Sequence, residues 1–184
     1  MSSVPGRAPA VKLPPQVESG RDLLLEDLGK LLTVEETLTK VVLPELLLEV
    51  QDEELRRAVQ RHLEETRGHV GNVKEAFLSL GVAPAGKPAY GLDGLRTEHK
   101  ATAPQVVPGA RTSVHVASAM GTEHYEINAY EAAIRLADAL GAGDVGGLLR
   151  ANLEQEVAAL QKLGDLAHRI ARETVKQRTV DGRL

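Results

Sequence analysis

The chain has 184 residues, a net charge of -4, 26% charged and 42% hydrophobic residues, which suits one globular domain with a real core. An acidic balance and only 2% aromatic residues exclude a nucleic-acid stacking platform and a polybasic membrane patch. The absence of cysteine excludes disulfides, thiolate zinc sites, iron–sulfur clusters and cysteine nucleophiles. Any metal would therefore be held by carboxylate and imidazole, which suit iron, manganese or zinc.

Residues 1–19, with Pro5, Pro9, Pro14 and Pro15, read as a flexible Pro-rich extension and lack the apolar core of a secretory signal. No apolar run approaches the roughly 18 residues that span a bilayer, so the expected compartment is the cytosol. A first helix is expected over about 21–49. Its inner stripe is Leu24, Leu28, Leu31, Glu35, Leu38, Val42 and Leu46, and Pro44 should kink it. Asp52 is an N-cap for a second helix over about 53–80. That stripe runs Leu55, Val59, His62, Glu65, His69, Val73, Phe77 and Leu80, and Gly81 is a natural stop.

Residues 82–110 are rich in proline and glycine and read as a long connection, with one short helix from Leu92 to His99. A third helix is expected over about 111–140, with Val116, Met120, Glu123, Glu126, Ile127, Tyr130, Ile134 and Ala137 on its inner stripe. Gly141-Ala142-Gly143-Asp144 forms a turn and N-cap. A fourth helix follows over about 145–174, with Leu149, Leu153, Glu156, Leu160, Leu163 and Ile170 inward. Residues 175–184 are a polar tail expected to fray. Four long helices paired as two antiparallel hairpins and joined by a long crossover make an all-α four-helix bundle over 20–174. The ferritin-like arrangement is one such topology.

With the hairpin turns placed near residues 50 and 141, Glu35, Glu65, Glu126 and Glu156 each lie 15 residues from a turn. Each hairpin then carries its two glutamates at one level, about 22 Å from its turn. Four carboxylates in an apolar core repel and shift each other's pKa, and a pair of divalent ions would supply the missing positive charge. Glu123 adds a carboxylate one turn before Glu126. The chain departs from the usual Glu-x-x-His layout, since Gly68 and Ala159 stand three residues after Glu65 and Glu156. Imidazoles come instead from His62 and His69, each of which reads equally well as a ligand or as a core histidine bonded to a carboxylate. His124 points off the stripe toward the surface or an outer role. Tyr125 and Tyr130 read as packing or hydrogen-bonding groups. No Ser-His-Asp set and no phosphate-binding glycine loop is present.

His62-Leu63-Glu64-Glu65-Thr66, Glu123-His124-Tyr125-Glu126-Ile127 with Tyr130, Leu153-Glu154-Gln155-Glu156 and Thr33-Val34-Glu35 resemble the hallmark segments of the YciE/YciF family of ferritin-like proteins, over about residues 20–170. The resemblance implies a ferritin-like bundle, a homodimer, a di-metal carboxylate site and an association with bacterial stress responses. By position, Glu35, Glu65, Glu126 and Glu156 match the metal-site glutamates, and Glu123 with Glu126 resembles the paired glutamates of rubrerythrin-type proteins. Gln155 and Leu160 stand where acidic residues are common, which leaves the second metal position weaker or completed by water.

Two functions follow as expectations. In the first, Glu35, His62, Glu65, Glu123, Glu126 and Glu156 hold two divalent ions, iron foremost with manganese or zinc as alternatives, for oxygen or peroxide chemistry; Glu65 and Glu156 would bridge. In the second, the bundle binds a partner and its glutamates are protonated or paired with His62 and His69. A cage for iron storage is a third reading that no shell-forming feature supports. Neither nucleic acid nor membrane is an expected partner.

Overall fold

Ser19 opens the first helix, its Oγ accepting from the Asp22 N–H at 3.1 Å. In the computed structural model, which describes residues 17–180, this helix, α1 (Gly20–Thr37), runs through a π turn at Leu38–Val42 into α2 (Leu43–Glu49). The turn answers to Pro44, which has no N–H and whose ring would strike the carbonyl four residues back. Widening one turn lets the Leu43 N–H reach the Leu38 carbonyl instead. The kink expected at Pro44 thus takes the form of a π turn just before it.

Asp52 caps α3 (Glu53–Ser79), accepting from the Glu54 and Leu55 N–H groups at 3.1 and 2.9 Å. Gly81 ends that helix with φ of 70°, and the Val82 N–H closes on the Phe77 carbonyl at 3.1 Å. The following segment lies along α1, where the Lys87 N–H bonds the Gly29 carbonyl at 2.9 Å. Gly29 permits this approach: a Cβ there would meet Lys87 Cγ and sit 2.9 Å from the Ala85 carbonyl oxygen.

The helix inside the crossover, α4 (Tyr90–Thr102), extends beyond the expected Leu92–His99 and packs on α5 (Pro108–Ala139). α6 (Gly143–Val180) starts at Gly143, so Asp144 lies in its first turn rather than at its N-cap. It also continues past the expected end near 174, since the sequence offers no glycine or proline between Gly164 and Gly182. Residues 1–16 of the expected extension and 181–184 of the expected tail lie outside the described residues.

The long helices form a ring in which α1 neighbours α3 and α5, and α6 neighbours the same two. Their buried side chains divide into two apolar clusters. One holds Leu38, Leu46, Val50, Leu55, Val59, Leu163 and Ile170. The other holds Leu24, Leu28, Val73, Phe77, Ile134, Val145 and Leu149. The α2–α3 turn lies at the first end and the α5–α6 turn at the second. Because α3 finishes at the second end and α5 begins at the first, the crossover must run the length of the bundle. A position midway along each helix therefore falls at one level, whichever turn it is counted from.

Three substitutions check this account. Gly29→Ala should lower unfolding free energy by about 1–3 kcal/mol through overpacking against crossover backbone. Gly68→Ala, on α3 with open space at its Cβ, should raise it by about 0.5–1 kcal/mol, both read by urea denaturation. Asp52→Ala should lose about 1 kcal/mol or more. The Asp52 carboxyl lies below its usual pKa, chiefly through its hydrogen bond from Arg169 at 2.8 Å and then from the Leu55 N–H, against an opposing burial effect. Its contribution is therefore full above the unfolded pKa of about 3.9 and fades as pH falls below it. The gap between wild type and variant should close in acid.

Candidate metal centre

Between the two apolar clusters lies a buried polar layer: Glu35, His62, Thr66, His69, Glu123, Glu126, Asn152 and Glu156. Glu35, Glu126 and Glu156 have no solvent exposure. Each long helix delivers its part. Glu35 comes from α1, two imidazoles from α3, Glu123 and Glu126 from one turn of α5, and Glu156 from α6.

The ligand-type atoms fall into two groups that share Glu156, one of Glu35, His69 and Glu156, the other of His62, Glu123, Glu126 and Glu156, with the atoms of each within 4.8 Å of one another. Glu156 faces both: its Oε1 lies 2.8 Å from His69 Nδ1 and its Oε2 3.8 Å from His62 Nε2. His69 Nδ1 also lies 3.5 Å from Glu35 Oε2. His62 Nε2 is 3.4 Å from Glu123 Oε1.

The charges are poorly satisfied. Six of the eight oxygens on Glu35, Glu123, Glu126 and Glu156 have no directed hydrogen bond, including both oxygens of Glu126. Burial, then the Glu156 charge, pushes Glu123 and Glu126 well above the ordinary carboxylate range. Burial raises Glu35 as well, against the opposing pull of His69. For Glu156, burial pulls upward but is outweighed chiefly by the His69 hydrogen bond, which leaves it low. For His69, burial pulls downward but contacts with Glu156 and Glu35 prevail and lift it to about 10. Burial holds His62 below its usual value, hence neutral.

Outer partners orient this layer. Gln155 Oε1 lies 2.9 Å from His69 Nε2, which fixes a proton there and turns Nδ1 toward the glutamates. Tyr130 donates to Glu35 Oε1, and Asn152 donates to the Tyr130 hydroxyl at 2.9 Å. Asn72 in turn donates to Asn152 at 2.6 Å. Two small cavities, about 60 and 90 Å³, each border both His62 and Glu123 and lead outward.

Of the expected ligands, the structure brings together Glu35, His62, Glu123, Glu126 and Glu156. Glu65 lies outside both groups at the rim, 32% exposed, with its Oε2 3.9 Å from His62 Nδ1. That distance is too long for a hydrogen bond, so Glu65 acts on His62 only as a nearby charge. Thr66 occupies the interior position beside it, its hydroxyl bonded to the His62 carbonyl at 2.6 Å. His124 is exposed, and Tyr125 is half-buried against Gly91. The roles of Asn72, Asn152 and Gln155 were not legible in sequence, although position 152 falls one turn before Glu156 on the same stripe.

The donor set fits a pair of divalent ions. Four carboxylates balance four positive charges with both imidazoles neutral, oxygen and imidazole suit hard or borderline ions, and the unpartnered oxygens of Glu126 gain partners. Without metal, Glu126 must take up a proton to stay buried, which costs stability at neutral pH. Glu126→Gln should therefore raise the thermal midpoint of metal-free protein at neutral pH and reduce the further rise on adding divalent metal, both read by calorimetry.

Comparison with known proteins identifies the family. Residues 19–176 match the family described as "Domain of unknown function (DUF892)". Protein YciF of Escherichia coli strain K12 is 30% identical over 152 residues, 79% of this chain and 89% of that protein. Its crystal structure, described as that of a stress protein, superposes with a TM-score of 0.79 at 28% identity over 85% of this chain and 99% of that one. YcfI of Rhodopseudomonas palustris superposes equally well, with a TM-score of 0.79, 32% identity and 83% and 97% coverage. A protein of Xanthomonas campestris shares the fold at a TM-score of 0.70 and 17% identity, over 88% and 99% of the two chains. No helix among the described residues is long and apolar enough to cross a membrane. The chain is thus an all-α bundle of the YciF type and belongs to the DUF892 family.

Proposed function

We propose that this protein holds two divalent metal ions, iron foremost, in its buried glutamate–histidine layer and uses them in oxygen or peroxide chemistry during stress. The observation that carries this reading is Glu156, whose two oxygens face separate ligand groups from a fully buried position. The stress role follows the description of the related Escherichia coli YciF as a stress protein.

Glu35, His69 and Glu156 would hold one ion, and His62, Glu123, Glu126 and Glu156 the other. Bound as a ferrous pair, iron would supply the electrons for reducing a small oxidant. The protein's own residues set the conditions. Metal binding displaces a proton from His69, and Gln155 keeps the ring oriented for that exchange. Apolar clusters on both sides exclude water, which strengthens every charge interaction inside. Cavities of about 60 and 90 Å³ beside His62 and Glu123 have room for small molecules such as water, peroxide or dioxygen. Glu65, at the rim beside His62, is placed to pass protons between solvent and the layer.

A second reading has its own observation. His69, lifted to about 10, forms a charged pair with Glu156 and Glu35 and partly satisfies the layer without metal. The protein would then act as a stress-related bundle through a partner.

Anaerobic titration with ferrous iron separates the two. The first reading predicts at least two equivalents per chain and a thermal midpoint that rises with metal concentration, as mass action requires for a ligand of the folded state. Glu156→Ala should reduce uptake at both positions, and Glu126→Ala at one. Binding below one equivalent, with no change in midpoint, would support the second reading.

A further inference from the structure

Among the described residues, one other cluster outside the buried layer carries metal-ligating chemistry. Glu49 is the last residue of α2, His99 lies in the last turn of α4, and His115 lies near the start of α5. Three separate elements thus converge on one point. His99 Nε2 and His115 Nδ1 face each other at 3.0 Å, and Glu49 Oε2 is 3.9 Å from the same His115 nitrogen. All three ligand atoms lie within 4.8 Å of one another.

We propose that Glu49, His99 and His115 form a separate, mononuclear site for a borderline divalent cation such as zinc, cobalt or ferrous iron, placed as an entry station for the buried layer. Two imidazole nitrogens bound to one such ion at about 2.0–2.1 Å lie about 2.9–3.4 Å apart, the spacing seen here. As they stand, one facing nitrogen must carry a proton and the other a lone pair, and a cation between them replaces that proton. His115 is 2% exposed, and its Nδ1 faces both His99 Nε2 and Glu49 Oε2. Glu49 is half exposed and free to swing in as the third ligand, with water completing a tetrahedron.

Position suggests the role. The site borders the 60 Å³ cavity whose far wall is His62 and Glu123. Arg96 and Lys100 face the same cavity, although Lys100 is paired with Glu45 at 3.3 Å. A single carboxylate among these cations binds a metal more weakly than a layer with four carboxylates, so the gradient runs inward. The entry role rests on the two-metal reading above, whereas the site itself does not.

Cobalt titration of the full chain followed by visible absorption tests both parts. In a Glu126→Gln/Glu156→Gln double variant, one cobalt should remain bound, with a tetrahedral absorption band that His99→Ala or Glu49→Gln abolishes. Both added substitutions are at partly exposed positions that the fold tolerates. A band unaffected by either, or no band at all, overturns the site. In the otherwise wild-type chain, His99→Ala should slow stopped-flow loading several-fold at unchanged uptake in the buried layer. Equal loading rates overturn the entry role while leaving the site standing. If the layer of the wild-type chain takes up no metal while the double variant keeps its one cobalt, the two-metal reading fails, the entry role fails with it, and the outer site stands.

Discussion

Four buried carboxylates at one level of an apolar bundle are the constraint on which the rest of the structure turns. An isolated carboxylate moved into such surroundings is so unfavourable that it either finds positive charge or takes up a proton. This protein divides the load. His69 pairs with Glu156 and Glu35, while Glu123 and Glu126 are pushed toward the protonated form by burial. The layer also splits the hydrophobic core into two clusters, so apolar burial is concentrated toward the ends of the bundle and polar groups in its waist. A core built for stability alone would put leucine or valine at these positions.

Much of the architecture serves to hold that waist. The crossover is pinned to α1 by the Lys87–Gly29 hydrogen bond and returns the chain so that neighbouring helices are antiparallel. Mid-helix residues are then level regardless of which end their turn occupies. Asn72, Asn152 and Tyr130 form a hydrogen-bonded line that ends on Glu35. Gln155 sets His69 from the other side. Such outer contacts decide whether ligand atoms are held closely enough to bind and react.

The helices were legible in the sequence because their apolar stripes persist for several turns, and Asp52, Gly81 and Gly141 punctuate them at the right places. The carboxylates on α1, α5 and α6 were legible for the same reason: each interrupts a stripe of leucine, valine or alanine. On α3 the pattern was ambiguous. Steps of three and four after His62 lead to Glu65 and Thr66, and only packing decides that Thr66 turns inward while Glu65 stays at the rim. His69 lay on the stripe, but a ligand and a paired core histidine share that periodicity. The Glu49–His99–His115 cluster had no sequence signal. It depends on α4, which sits in a proline- and glycine-rich connection, and on how that helix lies against α5.

The central claim is that the shared Glu156 marks the midpoint of a two-metal site. Anomalous diffraction from crystals soaked in manganese tests it most directly. The account predicts two peaks about 3.5–4 Å apart, one on each side of the Glu156 carboxylate, with Glu35 and His69 at one and His62, Glu123 and Glu126 at the other. Crystals of well-folded protein with no anomalous signal in this layer at saturating metal would contradict it.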